Sequence, residues 1–150
     1  MPAWLSNLLL PLRSLLGSRP AAASMGEVDE ELRDAFLAEL GEMITAANGA
    51  LADLRANPSD ATLARTLGRC FHTLKGSAPL VGAPALADLG RAGENMMQRA
   101  AERRIVSAHQ MQAIESAIVL LPAWKDALRN GRATPPGTSQ AIAQLERGTA

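Results

Sequence analysis

The chain has 150 residues, enough for one domain with a real core but not comfortably for two. Its 15 Lys and Arg balance its 15 Asp and Glu, so net charge argues neither for a nucleic-acid binder nor for an enzyme acting on acidic substrates. Leu, Ala and Met supply most of the apolar content, there is no Tyr, Phe and Trp number two each, and β-branched residues are sparse, which favours helix over sheet.

A single cysteine, Cys70, excludes an internal disulfide and fits a reducing, cytoplasmic setting. No CxxC, HExxH or His/Cys cluster occurs, so no metal site is expected. No GxxxxGK[ST] or GxGxxG loop occurs either, so the chain is expected to bind no ATP and to have no kinase activity of its own.

Residues 1–24 differ from the rest. Leu5, Leu8, Leu9, Leu12, Leu15 and Leu16 recur at helical spacing before the loop-like SRPAAASMG. Three readings compete here: an amphipathic helix packing on the domain or a neighbour, a membrane-surface anchor, and a signal peptide. Only Arg13 charges the polar face, and Pro11 and Arg13 interrupt the apolar run, so the first reading leads. The run is too short to span a bilayer.

The spacing of Leu32, Phe36, Leu40, Met43, Ala47, Leu51 and Leu54 predicts a first helix, capped by Asp29 and ending near Ala56. ANPSD (56–60) breaks it, and Ser59 is the predicted cap of a second helix running from about Asp60 to about Leu80. Gly82 stops that helix and Pro84 opens a third, about 84–103, with Leu86, Leu89, Gly93, Met96, Met97 and Ala100 on its stripe. Ser107 and Gln110 have the spacing of a capping box for a fourth helix, along which Met111, Ile114, Ile118, Leu121, Lys125 and Leu128 recur. Pro122 is expected to kink that helix, and Asn130-Gly131 to stop it. Residues 131–150 read as a linker or tail with one frayed helical turn. Four amphipathic helices with short connections predict an all-α fold, an antiparallel four-helix bundle over 25–130 with an extra N-terminal amphipathic helix.

The second helix carries the candidate chemistry. On a wheel of roughly 100° per residue, Leu63, Leu67, Cys70, Phe71, Leu74 and Ala78 form a core stripe, and His72 falls almost opposite its centre. Arg65, Gly68, Arg69, Lys75, Gly76 and Pro79 surround His72 on that outward face. Gly68 and Gly76 each cost about 1 kcal/mol relative to alanine inside a helix. Two such costs on one face suggest that a partner's backbone must approach the imidazole closely. Neutral imidazole is a nucleophile, and Lys75, one turn on, can neutralise a phosphoryl group placed on the ring. The bland alternative is a surface histidine on a charged face. Arg65 and Arg69 read equally as steering groups for an acidic partner or as a solvated face. His109, in the first turn of the fourth helix, reads as exposed and inert; Cys70 reads as a small core residue, and Met96 and Met97 as core or rim.

The segment FHTLKGSA, on the second helix of such a bundle, resembles the histidine-containing phosphotransfer (HPt) domain family, whose H-x-x-K-G motif is met by His72, Lys75 and Gly76. The resemblance covers about residues 27–130. It implies that His72 carries the phosphoryl group, that Lys75 stabilises its charge and that Gly76 provides clearance. GENMMQR (93–99) is similar to a segment of the HPt domains of chemotaxis-type histidine kinases, and the resemblance implies that Glu94 hydrogen-bonds the imidazole. Arg91 departs from that pattern, standing where those kinases often have another histidine. The implied function is a phosphorelay intermediate, exchanging a phosphoryl group with receiver-domain aspartates or a separate kinase domain, with Mg²⁺ supplied by the partner. The partners expected are a response-regulator receiver and a histidine kinase catalytic domain, with no nucleic acid and no membrane. Two alternatives remain: a degenerate bundle of the same shape acting only as a protein-binding module, and a membrane-associated scaffold driven by residues 1–16.

Overall fold

The computed structural model describes residues 30–150, so the N-terminal segment and the Asp29 cap expected above lie outside the described residues. Five α-helices follow: α1 (Glu30–Ala56), α2 (Ala61–Ser77), α3 (Pro84–Arg103), α4 (Ala108–Asn130) and α5 (Thr138–Thr149). The first four form the antiparallel bundle. None of the described helices is long and apolar enough to cross a membrane.

The apolar spacing builds the core directly. All seven residues of the α1 stripe are buried, as are Leu67, Cys70, Phe71 and Leu74 of α2 and Leu86, Leu89, Met96 and Met97 of α3. Burial of this kind stabilises by roughly 25 cal/mol per Å² of apolar surface and favours closing all four stripes on one another. Cys70 lies inside, and burial pushes its thiol up to about 12, leaving an inert core residue.

Helix boundaries depart from expectation in two places near α2. The cap is Asp60, not Ser59: the Asp60 carboxylate accepts from the backbone N–H groups of Thr62 and Leu63 at 2.9 and 3.2 Å. An acceptor one residue closer to the first turn reaches both orphan amides. At the other end α2 stops at Ser77 and a 3-10 turn, Ala78–Val81, takes over, because Pro79 has no N–H to continue the α pattern. Gly82 then closes the turn with φ +71°. The capping box at Ser107 and Gln110 forms in full. The α4 helix runs through Pro122 to Asn130, and Gly131 caps it in the left-handed conformation.

The C-terminal expectation is overturned. Residues 138–149 are a 12-residue helix, not a linker with a frayed turn. Ala141 and Leu145 join the main core, with Leu145 fully buried, so α5 gains through packing what its short length denies it alone. It lies against α3 and α4. Around the bundle α1 touches α2 and α4, while α3 packs closely on α2 and meets α4 only sparsely.

The tight α2–α3 pairing has a sequence cause. A Cβ at Gly90 would stand 2.6 Å from the Lys75 backbone nitrogen and 2.7 Å from the Phe71 carbonyl oxygen, and one at Gly93 would collide with the Phe71 ring. Gly76 is different, because a Cβ there would meet nothing within 4 Å. Gly90→Ala is therefore expected to lower stability by about 1–2 kcal/mol, overpacking outweighing the gain in helix propensity. Gly76→Ala is expected to raise it by up to about 1 kcal/mol. Urea denaturation of the two variants checks the opposite signs.

Candidate functional site

His72 stands in the C-terminal half of α2 on the face away from the core, its side chain 65% exposed. The preceding residue, Phe71, is buried under Gly93 of α3, so the backbone that presents the imidazole is anchored to the core. Glu94 follows Gly93 directly. The close approach at Gly90 and Gly93 thus delivers the Glu94 carboxylate to the α2 surface, where its Oε1 lies 3.0 Å from His72 Nδ1. Lys75, one turn along, places its Nζ 2.9 Å from the other carboxylate oxygen, Oε2, as an ion pair.

The electrostatics fix the direction of the imidazole hydrogen bond. Partial burial raises the Glu94 pKa, and the Lys75 ammonium and the His72 ring more than offset it, leaving the carboxyl below its ordinary value. An ionised carboxylate only accepts, so Nδ1 carries the proton and donates. In the neutral ring the lone pair is then on Nε2, which has no hydrogen-bond partner among the described residues.

Beside the ring a groove of about 440 Å³ runs between α2 and α3. Arg65, Gly68 and Arg69 line it from α2, and Gln98, Ala101 and Glu102 from α3. A Cβ at Gly68 would come within 3.4 Å of Met97, so the glycine keeps the groove deep as well as smooth. Gly76 and Pro79 are exposed on the other side of His72 and do not line this groove. Arg91 turns to Asp88 at 3.0 Å and takes no part in the His72 network. His109 is exposed. Among the described residues no group of three or more His, Cys, Asp or Glu side chains could hold a metal ion.

The structure therefore gathers His72, Lys75 and Glu94 into one unit, joined by a hydrogen bond to His72 and an ion pair to Lys75, and places Arg65, Gly68 and Arg69 along one groove. The bridging of Lys75 to Glu94 and the role of Gly90 were not anticipated. A signal for Gly90 exists in the sequence, since Gly90 and Gly93 are three apart on a helix and share a face. Gln98 and Glu102 follow Glu94 at helical spacing and could have been found in the same way.

A family profile for the Hpt domain matches residues 31–133. The chain belongs to the Hpt domain family. It is similar to the chemotaxis protein CheA of Listeria monocytogenes and to that of Listeria innocua, each 28% identical over 114 residues, or 75% of this chain. The chain spans only 18% of the length of those relatives. No solved structure matches it significantly. With the helical bundle, these similarities mark it as a phosphotransfer module of two-component signalling.

A carboxyl held low contributes stability that is complete above its unfolded value, about 4.3, and is lost as pH falls through the folded value. Lys75→Met removes the ammonium, whose hydrogen bond is the largest single contribution holding the Glu94 carboxyl low. With the ammonium gone, burial is opposed by His72 alone, so the Glu94 titration followed by carboxyl ¹³C NMR is expected to move upward. The stability that Glu94 contributes above its unfolded value shrinks by the same shift, so less of it is left to lose on acidification.

Proposed function

We propose that His72 is the phosphoacceptor and phosphodonor of a phosphorelay. The observation that carries this reading is the 3.0 Å hydrogen bond from Nδ1 to Glu94, which leaves the Nε2 lone pair facing solvent. In the step proposed, Nε2 attacks the phosphorus of an aspartyl phosphate on a receiver domain. The N–P bond forms as the P–O bond to the aspartate breaks, and the aspartate leaves as a carboxylate. Positive charge develops on the ring, and the Nδ1 proton shares it with the Glu94 carboxylate. Transfer onward to a second receiver aspartate runs the same step in reverse. A kinase domain holding ATP can supply the group instead, with ADP as the leaving group.

Lys75 has a double role in this reading. In the resting state it neutralises Glu94 at 2.9 Å, and it stands on the same outward face one turn from the ring. A phosphoryl group on Nε2 brings dense negative charge to that face, and the ammonium then has two anions to bridge. The residual work is positioning and charge neutralisation, as phosphoryl transfer requires. Mg²⁺ is supplied by the receiver or kinase partner in this reading.

Arg65 and Arg69 suit the acidic pocket of a receiver, and the glycines on either side of His72 let that surface come close. Similarity to a chemotaxis protein favours a chemotaxis-like pathway, with the module working in the cytoplasm beside its receiver and kinase.

The test is phosphoryl transfer from a receiver charged with a small-molecule phosphodonor, comparing wild type with His72→Gln. The expected result is an acid-labile, base-stable label on wild type and none on the variant. Equal label on both would assign the acceptor to another residue. No label on either, across several receivers, would leave a bundle that only binds its partners.

A further inference from the structure

We propose that α5 is a clamp that holds α3 against α2 and so keeps Glu94 within hydrogen-bond reach of His72. This inference deepens the phosphorelay reading and rests on it for its activity readout alone. Residues 138–149 lie beyond the segment matched by the Hpt profile, which ends at 133, yet they are built into the core.

The α3 helix has two working sides. Gly90 and Gly93 press on α2, as described. Ala92, Met96 and Ala100, spaced four apart, form a second buried stripe, and its middle residue, Met96, lies against Gly148 of α5. Because α3 meets α4 only sparsely, that stripe needs another neighbour, and α5 packs on both α3 and α4. Ile142 and Thr149 of α5 border the same cleft as Ala92 and Asn95 of α3.

The last turn of α5 is fixed on both sides. A Cβ at Gly148 would stand 2.5 Å from Met96 Sδ, so this turn rests directly on α3. Gln110, itself buried, donates from Nε2 to the Gly148 carbonyl at 2.9 Å, while its Oε1 accepts from the Ser107 backbone N–H. One side chain thus ties the α4 cap to the end of α5. Leu145 is fully buried between these contacts. Met96 and Glu94 are two residues apart on α3, so a shift of α3 away from α2 moves the carboxylate directly. Lys75 and His72 both sit on α2 and would stay behind.

The experiment uses the full chain with Leu145→Asp, which places a charge where the clamp seats. Ring ¹⁵N–¹H NMR of His72 reads the Nδ1–H tautomer, and transfer from a phosphorylated receiver reads rate. The expected result is retention of the other four helices by circular dichroism, loss of the fixed Nδ1–H signature and a transfer rate about tenfold lower. In a Glu94→Ala background the same change is expected to slow transfer no further, because the clamp acts through Glu94. If aspartate unfolds the bundle, Leu145→Ala is read in the same way. An unchanged tautomer signature with α5 undocked would overturn the proposal, as would independent, multiplying losses in the double variant. The NMR readout needs no phosphodonor, so it stands even if His72 proves not to accept the group.

Discussion

Two glycines on α3 set how closely α3 approaches α2, and the candidate site depends on that distance. Gly90 faces the backbone at Lys75 and Phe71, and Gly93 faces the Phe71 ring. No larger side chain fits at either point without pushing the helices apart. The residue after Gly93 is Glu94, and the residue after Phe71 is His72. A backbone contact between core positions therefore becomes a 3.0 Å hydrogen bond between their outward neighbours. The core and the site are one piece of packing, read on its inner and outer sides.

From this follows the division of labour among the charged groups. Glu94 is paired twice, with His72 through one oxygen and with Lys75 through the other. Its carboxyl is held low against the pull of burial, and an ionised acceptor at Nδ1 leaves Nε2 as the free nitrogen. Lys75 keeps the carboxylate from being an uncompensated negative charge beside the place where a phosphoryl group would arrive. The arginines are set further along the groove, where they can meet a partner without competing for Glu94.

The sequence displays much of this. The α1 stripe, the α4 capping box and the outward position of His72 are periodicity and spacing, and each is local enough to read from neighbouring residues. The contact between His72 and Glu94 joins residues 22 apart, and it was legible only through resemblance to a family whose members carry that pair. The Lys75–Glu94 bridge was missed because it depends on the α2–α3 separation, which no single-helix wheel contains. The α5 helix was missed for a related reason. Its segment is short, begins after TPPG and has weak intrinsic helix preference at Thr138, Ser139 and Gly148. What makes it a helix is the buried seat for Ala141 and Leu145 between α3 and α4, a tertiary contribution that local propensity does not record.

On the phosphorelay reading proposed above, the α2–α3 crossing selects Nε2 as the reactive atom of His72. This selection is tested most directly by phosphorylating the protein with a small-molecule phosphodonor or a charged receiver and locating the N–P bond by ¹⁵N and ³¹P NMR of the histidine ring. The expected result is phosphorus coupled to Nε2, with a proton retained on Nδ1 toward Glu94. Phosphorus on Nδ1 would contradict it, because that nitrogen would have to leave Glu94 before it could react.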